Sequence, residues 1–153
     1  MNESGLSPFR SAIRLLLLCA LAAPATAFAE EQTFGDYTVY YQAVNSTFLT
    51  PEIAEQYGIV RSERRAFLNI AIVRNEDGGK TTPVTATLNG IKHNLLQQSE
   101  PIEFKVVREG DAIYYIGQFD FSEAEILRFT LEVAPEGQEP SHPIEWSTQL
   151  YSN

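Results

Sequence analysis

Leu127-Arg128-Phe129-Thr130-Leu131-Glu132-Val133 alternates apolar and polar side chains at every step. A period of two sets Leu127, Phe129, Leu131 and Val133 on one face and Arg128, Thr130 and Glu132 on the other, the pattern of a half-buried strand. The same signature recurs on both sides of this stretch. Downstream, Pro135 to Pro143 reads as a loop, and Ile144, Trp146, Thr148 and Leu150 mark a last strand. Upstream, Ser122-Glu123-Ala124-Glu125 fits a capping box, so one helical turn is expected to cross between strands. Before it, Ile102, Phe104 and Val106 alternate with Glu103 and Lys105, and Arg108-Glu109-Gly110-Asp111 leads into Ala112 to Phe121. This is the clearest hairpin in the chain.

Closer to the N-terminus, Ala66 to Arg74 places Leu68, Ile70 and Ile72 opposite Phe67, Asn69 and Val73, and Asn75-Glu76-Asp77-Gly78-Gly79 then turns the chain. Val84 to Leu88 reads as a short strand with Pro83 at an edge or strand start. Asn89-Gly90 reads as a hairpin turn, with Ile91 to Leu96 as the partner strand. Tyr37 to Val44 is aromatic and β-branched, as a strand buried on both sides would be. Between these strands, Thr50-Pro51-Glu52-Ile53-Ala54-Glu55-Gln56-Tyr57-Gly58 carries a capping Thr, Pro at the first helical position and Gly as a stop, which predicts one short helix ending near Tyr57. The expected fold is all-β: an antiparallel two-sheet sandwich of about seven or eight strands with one or two short helices.

Residues 1–29 have the features of a cleaved signal peptide: Arg10 and Arg14, the apolar run Leu15 to Ala23, and the small-x-small site Ala27-Phe28-Ala29. Arg14, Pro24 and Thr26 interrupt the apolar stretch and argue against a membrane anchor. Leu18 before Cys19 argues against a lipid-attachment signal. Cleavage after Ala29 leaves one domain, residues 30–153, in a periplasmic location. The whole chain has 11 basic and 20 acidic residues and a net charge of -9. Without Arg10, Arg14 and Glu3, the mature domain has 9 basic and 19 acidic residues, a net charge of -10, and neither Cys nor Met. Such acidity opposes nucleic acid and anionic membranes as partners. Core packing, with no disulfide, must hold the domain together.

No Gly-x-Ser-x-Gly elbow, Gly-x-Gly-x-x-Gly loop or Walker sequence occurs, and no cofactor is implied. His93 and His142 lie 49 residues apart without paired spacing, so both read as solvated side chains of loops or strand edges, and no metal ligand is assigned. Copper(I) is further disfavoured by the lack of mature Cys and Met. Asp111, Asp120, Glu123 and Glu125 lie near strand ends, where two carboxylates flanking a cleft would suit glycoside cleavage. Among 19 acidic side chains such proximity carries little information. The one departure from the acidic background is Arg61, Arg64 and Arg65, a candidate grip for a carboxylate or other anionic partner. Its alternative is a solvated loop neutralised by Glu63 and nearby acids. Tyr37, Tyr40, Tyr41, Tyr114 and Tyr115 suggest either an aromatic recognition strip or cross-strand packing.

Phe34-Gly35-Asp36-Tyr37-Thr38-Val39-Tyr40-Tyr41, Asn45-Ser46-Thr47-Phe48-Leu49 and Arg65-Ala66-Phe67-Leu68-Asn69-Ile70 resemble segments of a family of small exported bacterial proteins catalogued as a domain of unknown function. Gly110-Asp111-Ala112-Ile113-Tyr114-Tyr115 and Gly117-Gln118-Phe119-Asp120-Phe121 resemble its later segments. The resemblance implies an envelope protein with an immunoglobulin-like sandwich and brings no activity, cofactor or catalytic residue with it. Two readings follow. The preferred one is a non-enzymatic module that binds another envelope protein or peptide through loops or an open sheet edge. The other is a hydrolase or metal-dependent enzyme whose carboxylates and histidines converge only in the fold. A small-ligand carrier stands third and requires an apolar cavity between the sheets.

Overall fold

The alternation around Phe129 becomes β9 (Glu125–Pro135), whose Leu127, Phe129, Leu131 and Val133 are each 0% exposed. It is one of ten strands in a computed structural model that describes residues 29–152. Apart from Ala29, the expected signal peptide lies outside the described residues. The other strands are β1 (Glu30–Phe34), β2 (Tyr37–Asn45), β3 (Arg65–Asn75), β4 (Thr81–Pro83), β5 (Ala86–His93), β6 (Ser99–Ile102), β7 (Phe104–Glu109), β8 (Ala112–Asp120) and β10 (His142–Leu150). All pairings are antiparallel: one sheet runs β1-β2-β3-β8-β7 with β4 added against β3, and the other runs β10-β9-β5-β6. The two-sheet sandwich is the expected one, with ten strands instead of seven or eight. The extra strands are short or polar: β1 reads Glu-Glu-Gln-Thr-Phe with its first four residues exposed, and β4 has three residues. Neither offers an apolar alternation to detect.

Inward-facing side chains of the two sheets form one core, in which Tyr41, Phe119, Phe129 and Trp146 make a chain of aromatic contacts. Phe129 stands edge-on to Phe119 at 5.1 Å and stacks on Trp146 at 5.0 Å, and Trp146 meets Tyr41 at 4.6 Å. Each fully buried side chain of this size contributes about 1.5–3 kcal/mol. Tyr37, Tyr41 and Tyr115 point into this core, while Tyr40 and Tyr114, one residue out of phase, are half-buried on the outer face of the larger sheet. The tyrosines therefore divide between two faces and form no single strip.

The chain changes sheet at Glu103. Ile102 pairs with Gly90 in the smaller sheet, and Phe104 pairs with Gly117 in the larger. A Cβ on Gly90 would lie 2.8 Å from Phe104 Cε2, and one on Gly117 would lie 2.9 Å from Phe104 Cε1. The missing side chains leave the space that the crossing residues fill. This corrects the reading of Asn89-Gly90 as a turn: both lie inside the continuous β5, and Gly90 is required by a close approach instead of a bend.

The helix forms as its signals predict. α1 (Pro51–Tyr57) is capped by Thr50, whose Oγ1 accepts a hydrogen bond from Ile53 N–H, and it stops at Gly58 with φ 67°. The Glu52 carboxyl is held below the usual range by its own backbone N–H and the Thr50 side chain. The helix covers part of the larger sheet's outer face, where Leu49, Ala54 and Ile59 bury Phe67 and Ile116. The second expected helical turn does not form. Ser122 to Glu125 is a turn whose Ala124 has φ 55°, a left-handed conformation that cannot propagate a right-handed helix.

Candidate functional site

A cluster of accessible, fixed side chains lies at one end of the sandwich, between the β5–β6 turn and the β8–β9 turn. Asn94 organises the first turn. Its Oδ1 accepts hydrogen bonds from Leu96 N–H and Gln98 N–H, each 3.0 Å, and its Nδ2 donates to Gln98 Oε1 at 2.7 Å. An Asn side chain replacing backbone partners in this way fixes a turn that the main chain alone would leave loose. Leu95 and Leu96 consequently point outward, 69% and 80% exposed. The facing turn forms only half of the predicted capping box, and no helix follows: Glu125 Oε2 accepts from Ser122 N–H at 2.6 Å, while Glu125 N–H donates to the backbone Ser122 O at 3.1 Å instead of to the serine hydroxyl. Glu123 accepts from the backbone N–H and hydroxyl of Ser152, which hold its carboxyl below the usual range.

Two adjoining depressions lie between these turns. The larger, about 440 Å³, is polar and is lined by residues including Lys92, Gln98, Glu100, Asp120, Ser122 and Glu125. Lys92 is 12% exposed; its Nζ is 2.7 Å from Glu100 Oε2, donates to Asp120 O at 2.8 Å, and lies 5.7 Å from the centre of the Phe119 ring. Asp120 accepts two bonds from Arg65, Nε to Oδ1 at 2.8 Å and Nη2 to Oδ2 at 3.3 Å. This bidentate pairing holds the Asp120 carboxyl below its ordinary range and raises the Arg65 guanidinium. The smaller depression, about 210 Å³, is formed by Asn94, Leu95, Leu96, Ala124, Glu125 and Ile126. Asn94 and Glu125 line both and mark where the polar cleft meets the apolar groove.

The arginines singled out in the sequence part company here. Arg65 is engaged by Asp120, Arg61 donates from Nη2 to Thr47 O at 3.3 Å, and Arg64 is exposed on the intervening loop. The histidines stay apart. His93 ends β5, with Nδ1 2.9 Å from Ser99 Oγ, whereas His142 begins β10 and stacks on Phe34 at 3.9 Å. In register His142 pairs with Val133, which pairs with Leu88, five residues from His93 along β5, so the histidines are two strands apart and offset by about 17 Å along the sheet. Neither histidine lines the cleft or the groove. Among the described residues no group of three or more His, Cys, Asp or Glu side chains is placed to hold a metal ion.

Of the four carboxylates considered for glycoside cleavage, Asp120 and Glu125 share the polar cleft. Asp111 sits in the turn at the opposite end of β8, and Glu123 is bound to Ser152. A general acid needs a raised pKa, and Asp120 is shifted the other way. The carboxyl that burial does push up is Glu109, on the outer face of the larger sheet. A separate cavity of about 20 Å³ lies between α1 and that outer face, lined by Leu49, Phe67 and Ile116 among others. It has room for about one water, far below the ~300 Å³ of a ligand pocket, and lies outside the two sheets.

Lys92, Asn94, Leu95 and Leu96 were not marked by the sequence. Reading Asn89-Gly90 as a turn placed Ile91 to Leu96 in a strand, where exposed leucines would pass as core residues. The detectable signal was Asn94 followed by a polar Gln97-Gln98 pair, an Asn-initiated turn around two apolar residues.

No curated protein matches the sequence. Among solved structures, the chain is similar to a DUF4426 family protein from Pseudomonas aeruginosa PAO1, at 33% identity and a TM-score of 0.69, covering 82% of this chain and 96% of that one. It shares its fold with FetP of uropathogenic Escherichia coli strain F11, recombinantly expressed in the periplasm, at 11% identity and a TM-score of 0.57 over 82% of this chain and 95% of that one. A copper-bound variant of FetP gives the same TM-score of 0.57 at 9% identity, over 82% of this chain and 96% of that one. The profile of a domain of unknown function, DUF4426, matches residues 31–153. With that match and the likeness to the Pseudomonas protein over nearly its whole length, the chain belongs to the DUF4426 family.

Proposed function

We propose that this protein is an exported, non-enzymatic interaction module that binds another envelope protein or peptide at the end of the sandwich bearing the β5–β6 turn. The observation that carries this reading is the Leu95-Leu96 pair, held in the open by the Asn94 hydrogen bonds beside a groove of its own. Exposed apolar side chains on a fixed turn have their ordering cost paid before any partner arrives, which favours binding. The hydrolase reading required a pocket joining a histidine to two or more carboxylates, and the polar cleft contains no histidine. The signal-peptide features of residues 1–29 support export, as does the family resemblance. The copper of the FetP variant belongs to that protein, whose likeness extends to the fold.

Placing a photoreactive residue at Leu96 in the full chain, and irradiating cells, should give a discrete protein adduct that is absent from the same substitution at Val106 on β7. Adducts from both positions alike, or from neither, would overturn the module reading. The recovered chain should begin at Glu30; a mass retaining residues 1–29 would refute export by cleavage.

A further inference from the structure

The groove and the cleft meet at Glu125, and the charges around that junction are unevenly committed. Glu100 is paired with Lys92 and Asp120 with Arg65, whereas Glu125 forms no ion pair among the described residues and accepts a bond from the Ser122 N–H. Lys92 is the one basic residue lining the cleft, and it is spent on Glu100 and the Asp120 carbonyl. An incoming anion would face three carboxylates and a mostly buried, already satisfied ammonium. An incoming cation would find Glu125 without a counter-charge, directly beside Leu95, Leu96, Ala124 and Ile126. Arg128, two residues beyond Ile126, lines neither depression.

Resting on the interaction-module reading, we infer that the segment bound here is a polypeptide stretch in which a Lys or Arg stands next to aliphatic side chains. The aliphatic groups occupy the 210 Å³ groove and the cation sits at Glu125. The mature chain's net charge of -10 draws such a segment in and repels an acidic one, so charge selects the partner and the leucines hold it. A second copy of this chain would bring like charge to the same place. An anionic lipid surface would meet acidic residues behind the leucine tip, which opposes binding there.

The test uses the mature chain and two fluorescent synthetic peptides of equal length, one alternating Leu with Lys and the other Leu with Glu, followed by anisotropy. The Lys peptide should bind at least about tenfold more tightly at low ionic strength, with the preference shrinking as salt rises. Glu125→Gln, which keeps the acceptor for Ser122 N–H, should remove most of that preference, and Leu96→Ser should weaken the Lys peptide without reversing it. Equal binding of both peptides, failure of the Lys peptide to bind, or an unchanged preference in Glu125→Gln would overturn the inference. So would attachment to phosphatidylglycerol vesicles, or self-association, that requires Leu96 and excludes the Lys peptide. A Leu96 photo-adduct that persists undiminished in Glu125→Gln would remove this partner chemistry while leaving the module reading intact. Loss of the adduct in the parent chain would remove both.

Discussion

The smaller sheet contains two hairpins that bury apolar residues alike along their strands and differ at their tips. β9–β10 turns its Leu127, Phe129, Leu131, Val133 and Ile144 wholly inward, each 0% exposed, and connects them through a loop of polar and acidic residues. β5–β6 also turns Leu88 and Ile102 toward the core, beside Gly90 and Lys92, but it presents Leu95 and Leu96 at its tip. The first hairpin uses hydrophobicity to join the sheets. The second holds it at the surface by the Asn94 network of its turn. Stability and binding therefore separate along the chain, and substitutions can address one without the other.

Phe129→Ala should show the largest effect. Phe129 touches both Phe119 across the sandwich and Trp146 beside it, so truncation removes contacts to both sheets and leaves a cavity. A loss of about 3–5 kcal/mol is expected, read as a lower urea midpoint at constant slope. This is a large share of the ~5–15 kcal/mol typical of a whole domain. A loss below about 1 kcal/mol would mean that the aromatic contacts do not join the sheets, and the comparison would fail on its buried side.

The base of the polar cleft should respond less, and with a pH signature. Arg65 holds the Asp120 carboxyl below its ordinary range, so the folded chain gives up that proton more readily than the unfolded one. The stabilisation is therefore present above the unfolded value of about 4 and is lost as pH falls through the lower, folded value. Because Asp120 is 69% exposed, solvent screens the pair and the effect is at most about 1 kcal/mol. Asp120→Asn should lower the urea midpoint slightly at pH 7, with the two proteins converging in strong acid. A gap that stays constant on acidification would assign the effect to packing instead of charge.

How far the sequence revealed this division depended on whether a local pattern had one physical cause. The period of two in β9 and the Thr50-Pro51 to Gly58 helix had one, and both formed where they were expected. Asn89-Gly90 had two: glycine serves a tight turn and also a close approach, and here Phe104 from the other sheet decided between them. No local pattern encodes that crossing, since it depends on a residue fourteen positions away in sequence. The capping box at Ser122 kept only its Glu125 side-chain bond and lost its helix because Ala124 turns left-handed between the two residues. At the candidate site, the Arg61, Arg64 and Arg65 cluster stood out by charge, yet charge alone could not show that Arg65 is already paired. Leu95 and Leu96 passed unnoticed because their exposure follows from Asn94 side-chain bonds, which composition and periodicity do not register.

The smallest expected effect on stability, and the sharpest test of the comparison, is the double substitution Leu95→Ser and Leu96→Ser. Both side chains are mostly in solvent, and the bonds that shape the turn run from Asn94 to the backbone of Leu96 and Gln98, which serine leaves in place. With little apolar area to lose and no cavity to open, the midpoint should move by no more than about 0.5 kcal/mol in either direction. A slight gain is as compatible with the argument as a slight loss, because exposed leucines favour compact denatured states as well as partners. A loss of 2 kcal/mol or more, on the order of a core truncation, would show that the tip packs against the domain in solution. The contrast between the two hairpins would then vanish, and with it the reason for placing a partner on one of them. An unchanged midpoint together with weakened binding of the Leu/Lys peptide would instead separate binding from folding at a single turn.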